Sequence, residues 1–181
     1  LGRTRAEAGK SGAQRVELGP QGGEAVLTFG GYSASGYEDP QVMLVRAGRK
    51  LAARRPADTL VNIGATAVGI GAAYDVAKRL GFKTMGIVSS LAREETAELS
   101  RCVDLVFYFP PVMGGWLPQS DHLSSTSEAI VEVSGTYVAI GGGEARDDFL
   151  AVRQAGRPAG GLRSGGHHHR IARECARKAN R

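Results

Sequence analysis

At 181 residues the chain suits one domain, and a hydrophobic share of 42% is enough to build a core. Its net charge of +5 is gathered at one end: from Arg157 onward seven Lys and Arg stand against one acid, Glu174, and the rest is near neutral. This distribution argues against a nucleic-acid footprint spread over the folded body, no apolar run reaches the ~20 residues that span a bilayer, and Arg3, Arg5 and Lys10 are followed by no apolar segment of a secretory signal.

Residues 1–23, rich in Gly, Arg and Gln without hydrophobic periodicity, read as a flexible arm. From Glu24 strands alternate with helices. Ala25–Phe29 is an apolar strand ending on Gly30-Gly31, and Pro40 opens a helix that runs to about Arg54 with Leu44, Ala47, Gly48 and Leu51 on one face. Thr59–Ile63 is β-branched and stops at Gly64. A helix from about Gly69 buries Ile70, Ala73, Ala77 and Leu80, carries Lys78 and Arg79 in its last turn, and ends at Gly81.

Thr84–Val88 is the third strand, followed by an expected helix from about Ala92 to Arg101. Val103–Phe109 is a strand interrupted only by Asp104, Pro110 to Leu123 a long loop, and Ser124–Val133 a helix with hydroxyls available to cap it. Thr136–Ile140 ends on Gly141-Gly142-Gly143, and a helix from about Ala145 to Ala155 follows. Short apolar strands alternating with helices predict an α/β, Rossmann-like three-layer sandwich on a mainly parallel sheet. Right-handed crossovers put the strand C-termini, and so the ligand, on one edge. The domain is expected over 24–157. The remainder, 158–181, reads as a basic segment with a short helix at Arg170–Lys178, because RPAGGLRSGG has little strand character.

Three strand ends on that edge carry glycine: Gly30-Gly31 with Ser33, Gly64 through Thr66 to Gly69, and Gly141-Gly142-Gly143. Phosphate oxygens need backbone N–H groups that a Cβ would screen, and the following helix adds the positive end of its dipole. Glycine in any single loop is equally explained by tight turns. Neither the P-loop nor the dinucleotide fingerprint is present. Asp147 and Asp148, in the first turn of the last helix of the domain, complement the helix dipole, and Glu144 lies nearer still to the edge. Carboxylates there are also placed to hold ribose hydroxyls or to stabilise an oxocarbenium-like centre. Thr126 and Ser127 lie at a helix N-terminus, where capping and phosphate binding both suit them.

Here the chain resembles the SLOG superfamily and its Lonely guy (LOG) phosphoribohydrolases, once described as lysine decarboxylases. IGATAVGIGAAYDVAKRLGFKTMGIV (63–88) is similar to the family's glycine-rich loop, helix and next strand, and SGTYVAIGGGEARDDFL (134–150) to its Pro-Gly-Gly-x-Gly-Thr-x-Glu-Glu-Leu segment. The resemblance implies a Rossmann-like fold, a nucleotide monophosphate site and a homodimer. The family's Arg-Lys falls on Thr126-Ser127, its Pro-Gly-Gly becomes Gly141–Gly143, and Asp147-Asp148 stands for Glu-Glu only if one residue is lost. Arg93 and Arg146 are the candidates to replace the missing cation.

Other features weigh less. His167–His169 are three consecutive imidazoles that cannot easily converge on one ion, so no metal is expected. His122 beside Asp121 has the form of a base with an orienting acid, and Trp116 that of a stacking or lid residue. Cys102 and Cys175 have no metal or redox spacing, which fits a reducing, cytoplasmic setting, and Cys102 reads as a small buried hydrophobe. Nothing resembles a pyridoxal-phosphate lysine site, and no cofactor is expected. The favoured reading is a domain that binds a phosphorylated nucleotide or sugar phosphate on the glycine loops. The alternatives are a phosphoribohydrolase, with Asp147 or Asp148 at the glycosidic bond, and an interaction protein that works through its basic tail.

Overall fold

The computed structural model describes residues 5–7, 25–33, 36–94, 98–110, 117, 122–141 and 144–162. Seven strands form one parallel sheet: β1 (Arg5–Glu7), β2 (Ala25–Gly31), β3 (Thr59–Asn62), β4 (Lys83–Ser89), β5 (Leu105–Phe109), β6 (Thr136–Ile140) and β7 (Ala159–Leu162). Their order is β1-β5-β4-β3-β2-β6-β7. The chain steps outward from β2 to β5, then returns to lay β6 against the other side of β2. That reversal opens a crevice at the strand C-termini, the place where such sheets take ligands.

Five helices cover the sheet: α1 (Pro40–Ala52), α2 (Ala73–Arg79), α3 (Leu91–Glu94), α4 (Ser125–Val133) and α5 (Glu144–Gln154). Alternation along the strands feeds two cores. Leu27, Phe29, Val61 and Ile63 pack with Met43, Ala47 and Leu51 of α1 and Ala73, Tyr74 and Ala77 of α2. On the other face Met85 and Ile87 pack with Ala129 and Ile130 of α4. The three-layer α/β architecture is therefore as the strand–helix alternation predicts. None of these helices is long and apolar enough to cross a membrane.

Local signals set the helix ends. Asp39 caps α1 by accepting from the Gln41 and Val42 N–H groups at 3.0 and 3.1 Å, with Pro40 in the first turn. Gly81, at φ +85°, takes the left-handed conformation after α2. The stretch Gly69–Ala72 is a 3-10 turn, and the regular helix starts at Ala73; Leu80 is exposed rather than buried.

Four expectations need correction. Arg5–Glu7, within the presumed flexible arm, pair with Val106–Tyr108, because β5 would otherwise present an open edge of N–H and C=O groups. Ala159–Leu162 form β7 beside Tyr137–Ile140, so the sheet runs past 157: the edge of β6 overrides weak strand propensity. The remaining arm and the helix expected at Arg170–Lys178 lie outside the described residues. The helix expected to Arg101 gives way to extended chain at Glu98–Ser100, where Ala67 N–H bonds the Glu98 carbonyl and Ser100 N–H the Ala65 carbonyl. Arg157, counted with the basic tail, instead donates from Nη1 to the Val131, Glu132 and Ser134 carbonyls and closes the C-terminus of α4.

Candidate functional site

The crevice is a cleft of about 610 Å³ bordered by the ends of β2, β3 and β4 and the first turns of α4 and α5. Two buried phenols outside its lining brace the loops around it. Tyr37 donates to the Ile140 carbonyl at 2.7 Å and accepts from Tyr32 N–H at 3.2 Å, tying the β2 loop to the end of β6. Burial pushes this hydroxyl far above the ordinary tyrosine range, against the opposing pull of the Tyr32 N–H, so it stays a neutral donor. Tyr74, fully buried on α2, donates to the Met85 carbonyl at 2.6 Å and accepts from the N–H groups of Ile63 and Ala65 at 3.0 and 3.2 Å. Its phenol is likewise raised by burial. It holds the β3–α2 loop where Gly64 (φ +38°) and Ala65 (φ +57°) are both left-handed.

That loop is self-satisfied to a degree the sequence does not reveal. The N–H groups of Ile63, Ala65, Ala67, Val68, Ile70 and Gly71 all meet internal acceptors, among them the Tyr32 carbonyl at 2.7 Å from Ile70. Thr66 Oγ1 lies 3.2 Å from the Ser33 carbonyl and accepts from Val68 N–H, so it joins the two loops. Glycine at 30 and 31 is explained by packing: a Cβ on Gly30 would fall on the Tyr137 hydroxyl and Ala145, and one on Gly31 on the Tyr37 hydroxyl.

Of the sequence-selected residues, Gly30, Gly31, Ser33, Gly64, Thr66, Thr126, Ser127 and Asp148 all line the cleft. Gly69, Gly141 and Asp147 stand outside its lining. Gly142, Gly143 and the side chain of Glu144 lie outside the described residues, as do Trp116, Asp121, His167–His169 and the side chain of Arg93. Arg146 and His122 are exposed. Asp148 is buried, with its Oδ2 3.4 Å from the Tyr137 hydroxyl. Ser124 caps α4 by accepting from Ser127 N–H at 3.2 Å. Thr126 Oγ1 is buried with no hydrogen-bond partner among the described residues.

Asn62 escaped sequence reasoning, although it is in the lining of the same cleft, is fully buried, and leaves Oδ1 without a hydrogen-bond partner among the described residues. A polar residue ending an apolar β-branched strand was the available signal. No Lys, Arg or His is among the described residues lining the cleft, whereas Glu98 and Asp148 are. Among the described residues no three His, Cys, Asp or Glu side chains are grouped to hold a metal ion. Cys102 is half-buried rather than core, and its thiol donates to Asp75 Oδ1 at 2.8 Å.

No protein-family model and no curated protein matches the chain. Solved structures do. TM1055, a structural genomics target, superposes with a TM-score of 0.56 at 16% identity, over 75% of this chain and 72% of that one. The molybdenum cofactor carrier protein of Chlamydomonas reinhardtii superposes with TM-scores of 0.52 and 0.53 in two structures, at 20% identity, over 77% of this chain and 76% of that one. The chain thus shares the fold of TM1055 and of the molybdenum cofactor carrier protein, a parallel sheet flanked by helices.

Proposed function

We propose that the chain binds a nucleotide or nucleotide-derived ligand carrying a single phosphate, in the cleft at the C-terminal edge of the sheet. The observation that carries this reading is the cleft itself. Its volume of about 610 Å³ suits a ligand of nucleotide size, and its walls combine apolar surface with a few buried polar groups, Asn62, Thr126 and Asp148. The N-termini of α4 and α5 border it and attract one anionic group. With Glu98 and Asp148 in the lining and no cation among its described residues, successive phosphates would meet uncompensated repulsion. The name of one neighbour of the same fold, a cofactor carrier, agrees with binding as the principal task.

A thermal-shift screen tests this with AMP, GMP, their di- and triphosphates and ribose 5-phosphate. A ligand at 100 times its Kd adds about 2.7 kcal/mol to stability. Monophosphates are expected to raise Tm and triphosphates to do so least; no shift with any of them on folded protein would refute the reading.

Phosphoribohydrolase activity is the second reading, favoured by one observation: the buried Asp148 carboxylate beside the Tyr137 hydroxyl in the cleft. An acid there would stabilise positive charge developing at the sugar carbon. Chromatography of incubated hits for free base separates the readings: hydrolysis predicts base release by the native chain and binding without release by Asp148→Asn. A homodimer belongs to the same proposal, and light scattering on the eluting protein tests it.

A further inference from the structure

β7 ends the sheet: among the described residues it pairs with β6, and its other edge is open. Tyr137 N–H bonds the Pro158 carbonyl at 3.0 Å, and successive residues of a strand turn their backbone groups to opposite sides. The N–H and C=O groups of Ala159 and Gly161 therefore point away from β6. Folds usually blunt such an edge with charge, proline or a bulge, as the sequence Arg5-Ala6-Glu7 of β1 does at the opposite edge. Ala159–Leu162 is uncharged, free of proline and in unbroken register with β6. Its glycines answer to nothing in the fold. Neither takes a positive φ, a Cβ on Gly160 would meet nothing within 4 Å, and one on Gly161 would only touch Phe149 at 3.9 Å. Glycine weakens a strand, and inside one it often marks the close approach of another backbone.

Positive charge flanks this edge on both faces of the sheet. On α1, Met43, Ala47 and Leu51 are buried against the sheet, and a Cβ on Gly48 would lie 3.7 Å from Val76 of α2. Helical spacing sends Arg46 and Lys50 to the opposite flank, toward β6, where Arg54 just past the helix bonds Thr136 Oγ1 at 3.1 Å. Val138 packs on the α1 side and is paired with Gly160, so this flank stands on the same face as Gly160. On the other face Arg153 stands 5.9 Å over the Phe149 ring, which borders Gly161. Among the described residues the ion pairs are Arg55–Asp58 and Lys78–Asp104, and no acid pairs with Arg46, Lys50 or Arg153. Beyond β7 the sequence from Arg163 to Arg181 is strongly basic, with Glu174 its one acid. Like charge therefore opposes the chain's own tail, or the β7 of a second copy, as the strand that completes the edge. We propose that the outer edge of β7 takes an extended acidic peptide of another protein as an eighth strand. The peptide backbone bonds Ala159 and Gly161, alternate acidic side chains face Arg46 and Lys50, and the apolar ones between them lie against Phe149. None of these residues lines the cleft, so the inference is independent of the ligand proposed there.

Fluorescence anisotropy on the full chain tests this with labelled octapeptides: alternating Glu and Val, alternating Lys and Val, and the Glu–Val peptide with its backbone N–H groups methylated. The Glu–Val peptide is expected to bind, and each of the others to bind at least about 10-fold more weakly, since main-chain bonds and charge both contribute. Gly161→Pro removes an outward N–H and no bond to β6, at a place where an edge strand tolerates proline; it should weaken binding about 10-fold. Arg46→Gln combined with Lys50→Gln should weaken it about 3- to 10-fold and flatten its salt dependence. If Gly161→Pro does not fold, the N-methylated peptide on the native chain decides the matter. No binding of the Glu–Val peptide, equal binding of either control peptide, or an affinity unchanged in Gly161→Pro would overturn the inference. A native dimer that Gly161→Pro dissolves, seen by light scattering, would assign the edge to a second copy and overturn it as well.

Discussion

Tyr74→Phe isolates the contribution of one hydroxyl to the cleft. The phenyl ring fills the same fully buried space, so no cavity forms. Three hydrogen bonds disappear, but not three groups are stranded. Ile63 N–H keeps a second acceptor, the Met85 carbonyl at 3.3 Å, and that carbonyl keeps Ile63 as a donor. Ala65 N–H is different: Tyr74 is its acceptor, and Ala65 is fully buried at φ +57°. One buried N–H left unpaired costs about 1–3 kcal/mol, and losing the 2.6 Å bond to Met85 costs about 1 kcal/mol more. The expected loss is therefore about 2–4 kcal/mol, or a Tm lower by roughly 5–15 °C for a domain of this size. Urea unfolding followed by circular dichroism measures it, with an unchanged m-value showing that the native and unfolded states are otherwise comparable. A loss below about 0.5 kcal/mol would show that the phenol does not hold the loop. Ligand affinity should fall with stability, because the same loop forms one wall of the cleft.

The glycines should separate by the space around them. Gly30→Ala should destabilise by about 1–3 kcal/mol through overlap with Tyr137 and Ala145. Gly48→Ala, in α1 with only Val76 nearby at 3.7 Å, should stabilise by about 0.5–1 kcal/mol; paired denaturation curves check both signs. Asp104 gives a pH signature. Burial works to raise its pKa, but Lys78 at 2.8 Å and the Thr84 N–H and hydroxyl outweigh it and hold the carboxyl below its ordinary value of 3.8. A depressed folded-state pKa contributes stability above the ordinary value and loses it as pH falls through the folded one. Tm should drop below about pH 4, and less steeply in Asp104→Asn; parallel curves would contradict the assignment. The Cys102 thiol is raised by its hydrogen bond to Asp75, then by burial. In a Cys175→Ser background, Asp75→Asn should speed iodoacetamide alkylation of Cys102 at about pH 8; an unchanged rate would refute that coupling.

Much of the architecture is legible in the sequence because its causes are local. Apolar runs of strand length, Asp39-Pro40 before α1 and Gly81 after α2 act within a few residues of themselves, so they mark elements without reference to the rest of the chain. The candidate site is legible to the level of the edge: glycine and hydroxyl residues after parallel strands converge there because the crossover rule sends every strand C-terminus the same way. Of the eight selected residues lining the cleft, Gly30, Gly31, Ser33, Gly64 and Thr66 are there on that account, while Thr126, Ser127 and Asp148 come from α4 and α5.

What each residue does in the cleft was settled by partners far away in the chain. Glycine at 30 answers to Tyr137, and glycine at 31 to Tyr37, neither predictable from a strand end read alone. Tyr37 meets Ile140 across 103 positions and Thr28 meets Ser134 across 106. The strand order β3-β2-β6 is what makes those residues neighbours. The α/β alternation and its ligand edge follow from the residues alone, since periodicity and turn chemistry are short-range. That 5–7 and 159–162 are strands, that Arg157 closes α4, and that Asn62 is buried with an acceptor unpaired among the described residues came from the fold. Edge pairing and hydrogen bonding depend on which surfaces the fold brings together, and a residue's own type carries no record of that.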